Sequence, residues 1–266
     1  MEIIKTYLEI KKFKFLLQQT VIREIRVRYK QTYIGILWAI LQPLAFSCIF
    51  YFLFSYIKGG LNSKEHFIIL FFSTSLWTFF SNSVSFATNS ISGHPSLITK
   101  VYFPRIIFPM SFVAVSLIDL SINLLLATVL HVILLNQIPN MLNFVYVIPA
   151  IAFIIILTLN CAVLLSGLNV FYRDFKYLVP ISLQLLMFIT PVMYTMNSNI
   201  GENIKSIIIY NPLTPLFDIF QKSIINIPVI TEDIIRLLVV GLITILFFEF
   251  NLRFFKKLNS KMADII

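Results

Sequence analysis

Charge is scarce in this sequence. Only 12% of its 266 residues are Asp, Glu, Lys or Arg, against roughly 25% in an ordinary soluble domain. A water-soluble fold of this size could not cover its surface with so few charges. The same arithmetic excludes intrinsic disorder, collagen and coiled coil. Cysteine is nearly absent: Cys48 and Cys161 both lie in apolar runs and offer neither a disulfide framework nor metal-ligand spacing. His66, His94 and His131 are scattered, so no metal site is expected. Glycine is sparse as well, and none of the seven fits a G-x-x-x-x-G-K phosphate loop. Nucleophile elbows, zinc-binding helices and paired catalytic carboxylates are missing, which argues against an enzyme.

What is present is apolar. Hydrophobic residues make up 58% of the chain and the mean hydropathy is +0.88, the profile of an integral membrane protein. A spanning helix needs about 20 mostly apolar residues. Six stretches qualify: Ile34–Ile57, Phe67–Ala87, Ile106–Leu135, Leu142–Leu168, Leu178–Met196 and Ile234–Phe250. Their unbroken apolar runs predict helices, because barrel strands would alternate over about ten residues. The chain reads as one transmembrane unit over residues 1–266, with a cytoplasmic leader (1–33), a six-span all-α bundle (34–250) and a cytoplasmic tail (251–266). The charged leader has no short apolar core with a small-residue cleavage site, so no removable signal peptide is expected.

The net charge of +9 would suggest nucleic acid in a soluble chain; here it sets orientation. Sixteen of the twenty-one basic residues fall on one side of the six spans, eight of them in the leader. Both termini are therefore expected on the cytoplasmic side of the inner membrane.

Three pieces lie outside the spans. In the leader, Leu17, Val21, Ile22, Ile25 and Tyr29 share one helical face while Arg23, Arg26 and Lys30 point away, which predicts an amphipathic helix in the lipid interface; a charged, topology-setting leader is the alternative. Between spans five and six, Ile204–Tyr210 and Leu213–Ile227 are too short to cross comfortably and flank Asn211, Pro212 and Pro215, as re-entrant or interfacial helices would, or as an outer surface loop would. Between spans two and three, Pro95 suits a helix start and Pro104 a stop. Leu97, Ile98, Val101 and Tyr102 would form the apolar face of a short helix, either docked on a partner or folded back on the bundle.

Ionisable groups inside the spans are few. Asp119 sits near the middle of span three and reads either as functional or as a carboxylate hydrogen-bonded between helices near Ser116 and Asn123. Glu249 and Arg253 have the favoured spacing and order of a helical ion pair. Small polar and aromatic residues form stripes: Ser73, Trp77 and Ser81 on span two, Trp38 and Gln42 beside Pro43 on span one, Gln184 and Phe188 on span five. A hydrated sugar path would use such positions, and so would close helix packing through small residues.

Five segments, in order, carry a resemblance. They are Arg26 to Pro43 (RVRYKQTYIGILWAILQP), Leu97 to Arg105 (LITKVYFPR), Leu168 to Asp174 (LNVFYRD), Thr190 to Tyr194 (TPVMY) and Tyr210 to Leu213 (YNPL). Together they resemble the permeases of polysaccharide-exporting ABC transporters, the exporters of O-antigen, capsule and teichoic acid. The resemblance implies a homodimer of six-span subunits, docked on two copies of a cytoplasmic ATPase that binds ATP and magnesium, with no cofactor in this chain. It implies that Pro95, Leu97, Ile98, Lys100, Val101, Tyr102, Phe103 and Arg105 belong to an ATPase-coupling helix. The leader becomes a gate helix. Arg173 and Asp174 become a cytoplasmic latch, and Asn211, Pro212 and Pro215 an outer gate. Trp38, Gln42, Ser73, Trp77, Ser81, Gln184, Phe188 and Tyr194 are candidates for the path wall. Lipid-linked polysaccharide and membrane lipids are the expected ligands, and nucleic acid is not. The alternatives are an ABC exporter of small molecules or drugs, and an ATP-independent channel or ion-coupled carrier.

Overall fold

The structure is a computed structural model that describes residues 2–30, 32–57, 63–93, 103–136, 141–196 and 202–262, the side chains of 57, 141–144 and 202–204 excepted. Among the described residues there is no strand. The leader forms α1 (Glu2–Lys12) and α2 (Lys14–Tyr29). A 3-10 turn, Gly35–Leu37, leads into α3 (Trp38–Ile57), followed by α4 (Lys64–Thr88), α5 (Ile107–Leu135) and α6 (Met141–Phe171). Then come α7 (Phe175–Ile189), two short helices α8 (Glu202–Tyr210) and α9 (Thr214–Ile224), and the long α10 (Thr231–Met262).

Helix ends follow local chemistry. Ser63 caps α4, its hydroxyl accepting from the His66 N–H at 3.3 Å. Asn136 ends α5 in the left-handed conformation, φ 51°, a role Asn tolerates better than most residues.

Four helical stretches are long and apolar enough to cross a membrane: Gly35–Tyr56, Lys64–Thr88, Ile107–Leu135 and Val145–Phe171. They coincide with the first four runs in the sequence. The fifth run is a shorter apolar helix, α7. The sixth lies inside α10, which continues as helix to Met262, so most of the expected tail is an extension of that helix.

Helix α4 is the centre of the bundle. It packs against α3, α5, α6, α7 and α9 and is buried almost all round. Its hydroxyls make this tolerable by bonding within the helix: Ser75 Oγ donates to Phe71 O at 2.6 Å and Thr78 Oγ1 to Ser75 O at 3.0 Å. In contrast, α3 is buried at only Pro43 and Ser47. The main core gathers Phe71, Trp77, Phe80, Phe217 and Phe220 around α4. A second core, with Ile91, Ile106, Val170 and Phe255, forms where α1 meets the start of α5 and the end of α10.

One expectation changes here, and one alternative is removed. The leader is two helices, and the protein-facing side of α2 carries Val21, Ile25, Arg28 and Tyr29, whereas Ile22 is exposed. The face turns because α2 packs on α5, where a carboxylate receives Arg28. And α9 is no surface loop, since every residue except Lys222 is buried. Two buried-side interactions fix it. Lys222 Nζ sits 2.8 Å from both Asp218 and Asp233, and His131 Nε2 lies 3.1 Å from Ile224 O.

Candidate functional site

Pro43 organises the site. Lacking an N–H inside α3, it leaves the carbonyl of Ala39, four residues earlier, without a donor in its own helix. Asn123 of α5 supplies one: its Nδ2 donates to Ala39 O at 3.0 Å and to Asp119 O at 3.0 Å. One turn along, Gln42 Oε1 accepts from Asn82 Nδ2 of α4 at 3.1 Å. Neighbouring side chains thus re-satisfy a proline-interrupted helix, as buried backbone in a lipid-embedded protein requires.

These bonds surround a cavity of about 240 Å³ between α3, α4 and α5, closed on one side by the end of α2. Arg28 Nη1 donates to Asp119 Oδ2 at 2.7 Å, and the Tyr29 hydroxyl donates to Asp119 Oδ1 at 2.6 Å. The guanidinium also lies 4.5 Å from the centre of the Phe86 ring, a cation–π contact. Both members of the ion pair are largely enclosed, at 20% and 15% side-chain exposure. Burial, and then the hydrogen bond to the carboxylate, push the Tyr29 phenol up to about 12. Asp119 is therefore not an isolated intramembrane charge, and its partners come from the leader rather than from its neighbours on α5. Only its backbone carbonyl meets Asn123.

The path candidates from the sequence separate into three groups. Trp38 and Gln42 line the cavity, and Trp38 is 47% exposed. Ser73 and Trp77 are enclosed by protein. Ser73 Oγ accepts from Gln221 Nε2 at 3.0 Å, Trp77 packs near Phe80, and Ser81 is half-buried with its hydroxyl turned to Thr78 O. Gln184 and Phe188 stand on the exposed face of α7, while the Tyr194 hydroxyl donates back to Phe188 O at 3.2 Å.

The outer-gate candidates form a buried polar junction. Asn211 Nδ2 donates to Thr190 Oγ1 at 2.9 Å, and its Oδ1 accepts from the Leu213 N–H at 3.0 Å. Pro215 is buried in the first turn of α9, where its missing N–H costs nothing, and Pro212 is exposed. Gln221, which no sequence signal singled out, ties the junction together by donating also to Pro191 O at 2.6 Å.

Of the coupling residues, Pro95, Leu97, Ile98, Lys100, Val101 and Tyr102 lie outside the described residues. Phe103 packs edge-on against Phe108, and Arg105 Nη1 donates to Asn259 O of α10 at 3.1 Å. Arg173 and Asp174 are exposed, and among the described residues neither joins an ion pair. The connecting residue in that motif is Asn169. Buried in α6, it donates to Ser92 Oγ at 2.9 Å and Asn89 Oδ1 at 3.3 Å, and accepts from the Lys176 N–H at 3.1 Å. It fastens the start of α7 to the end of α4. Its place inside the quoted motif was the available signal.

Glu249 does pair with Arg253, at 3.0 Å. The carboxylate also accepts from the N–H groups of Glu2 at 2.7 Å and Ile3 at 3.1 Å, capping α1 from a residue far along the chain.

The side chains of this arrangement can hold, orient and enclose. The ABC-2 type transporter family matches residues 16–225. An O-antigen export system permease protein of Klebsiella pneumoniae, RfbA, is 28% identical over 249 residues, 92% of each chain. Its namesake from Myxococcus xanthus is 30% identical over 215 residues, 80% of this chain and 81% of that one. The polysialic acid transport protein KpsM of Escherichia coli is 23% identical over 206 residues, 76% of this chain and 78% of its own. With a family match that covers most of its length, and apolar helices to span a bilayer, this chain belongs to the ABC-2 type transporter family and is an integral membrane permease subunit.

Proposed function

We propose that the chain is the membrane half of an ATP-driven exporter that moves lipid-linked polysaccharide, of the O-antigen, capsule or teichoic acid type, across the cytoplasmic membrane. The observation that carries this reading is the alignment of three polysaccharide-export permeases along three quarters or more of both chains. Two copies build the conduit, and two copies of a separate cytoplasmic ATPase, with ATP and magnesium, supply the work. In each copy α7 and the middle of α10 complete six spans, α8 and α9 form the outer re-entrant pair, and both termini are cytoplasmic.

The internal bonds suit this mechanism. Residues 95–103 serve as the contact to the ATPase, and Asn169 passes its displacement from the end of α4 to the start of α7. Arg28 and Tyr29 tie the gate helix α2 to α5, so gate and bundle move together. Gln221 and Lys222 hold the outer pair closed against α4 and α10.

Deletion of the gene, followed by complementation, tests the reading. Surface polysaccharide should vanish and return with the wild-type chain, and the purified chain should co-purify with an ABC ATPase whose hydrolysis drives glycolipid transfer in proteoliposomes. Unchanged surface polymer, or transport by this chain without ATP, would overturn it.

A further inference from the structure

Two residues that line the cavity beside Arg28 each carry a buried polar atom without a partner. Ser116 is 1% exposed and Asn123 is 2% exposed, yet Ser116 Oγ and Asn123 Oδ1 form no hydrogen bond. Both residues line the cavity. Their isolation is unusual, because other hydroxyls of the same helix bond back to its carbonyls: Ser111 to Phe108 O at 2.7 Å and Ser121 to Leu117 O at 2.8 Å. An orphaned buried group costs about 1–3 kcal/mol, and such groups in a native fold call for an occupant.

The chemistry of the orphans narrows the occupant. An amide oxygen only accepts and a serine hydroxyl both donates and accepts, so the occupant must offer a hydrogen-bond donor, which a sugar hydroxyl supplies and so does water. A phosphate ester fits poorly. It has no proton for Asn123 Oδ1, it would face the Asp119 carboxylate, and the Arg28 charge is already matched by that carboxylate at 2.7 Å. Around the orphans stand the paired amides of Gln42 and Asn82, and the half-exposed Trp38 ring. Hydroxyl partners with a flat aromatic at the rim suit a sugar, whose ring has an apolar face and polar edges. The volume of about 240 Å³ lies just below the roughly 300–1,000 Å³ of pockets for drug-sized ligands, room for one ring and not for an oligosaccharide.

We propose that this cavity is a binding site for a single pyranose ring of the exported glycan, with Ser116 Oγ and Asn123 Oδ1 bonding its hydroxyls and Trp38 covering its apolar face. The inference rests on the polysaccharide-export reading for its substrate class.

Trp38 and Trp77 are the two tryptophans, so Trp77→Phe leaves Trp38 as the sole reporter. The full-length protein in lipid nanodiscs is titrated with the methyl glycosides of glucose, galactose, mannose and N-acetylglucosamine, and separately with inorganic phosphate and pyrophosphate. At least one glycoside should shift Trp38 emission saturably in the millimolar range. Ser116→Ala, which removes a hydroxyl without a partner and so spares the fold, should weaken that binding about tenfold, the effect of one or two neutral hydrogen bonds. Ser121→Ala on the same helix should leave it unchanged. No saturable shift with any glycoside, as for a cavity that holds only water, a shift with phosphate alone, or equal binding by Ser116→Ala overturns the inference. The deletion test keeps the two readings apart. Surface polymer that depends on this chain, with no glycoside binding, removes the site and leaves the export reading intact; glycoside binding without polymer dependence does the reverse.

Discussion

Replacing Asp119 by Asn should break the link between the leader and the bundle. In the native chain the carboxylate receives Arg28 at 2.7 Å and the Tyr29 hydroxyl at 2.6 Å. Removing one member of a fully buried pair costs about 3–5 kcal/mol, because the survivor keeps its desolvation penalty without its partner. Here the side chains are 20% and 15% exposed, so water screens part of the loss, and a cost of about 2 kcal/mol follows. Arg28→Gln should cost a similar amount, again about 2 kcal/mol. The double variant should cost clearly less than the sum of the two, since the second change removes a charge the first had already orphaned. Unfolding of all four proteins by sodium dodecyl sulfate titration in mixed micelles measures this cycle, and a coupling of about 1–3 kcal/mol is expected for residues in one network. Additivity to within about 0.5 kcal/mol would refute the argument that this ion pair fastens α2 to α5.

Other expectations are as direct. The Tyr29 phenol, raised to about 12, should stay protonated through the range in which an ordinary tyrosine ionises, so its contribution to stability is present below about pH 10 and fades as pH rises toward 12; a 295 nm difference titration of wild type against Tyr29→Phe should isolate one late-titrating tyrosine, moved toward 10 in Asp119→Asn. Asn169→Leu should lower stability by about 1–3 kcal/mol and, in folded protein, reduce ATP-coupled transport, whereas Asn169→Gln should restore part of both. At Gly241 an added Cβ would run into the Phe153 ring, so Gly241→Ala should cost about 1–3 kcal/mol by overpacking, and Phe153→Leu in the same chain should recover part of it in a thermal-unfolding series. Lys222→Met should leave Asp218 and Asp233 without their shared cation and lower the thermal midpoint; Asp233→Asn alongside it should raise the midpoint again, and no recovery would count against the shared-cation account.

The sequence by itself determined the helices. A run of about 20 apolar residues must satisfy its backbone internally in lipid whatever surrounds it, so Phe67–Ala87 and Ile106–Leu135 could be placed without knowledge of their neighbours. Local spacing likewise announced the Glu249–Arg253 pair, because residues four apart meet on any helix. What each helix touches was decided only in the tertiary structure. Lipid tails are as apolar as leucine, so hydropathy could not tell the enclosed α4 from the exposed α3, nor say that Ser73 meets Gln221 while Trp38 borders a cavity. Asp119 shows the same divide. Its cost was visible in one dimension, but the Arg28 and Tyr29 that answer it lie about ninety positions earlier, on a helix whose facing side was set by that very carboxylate.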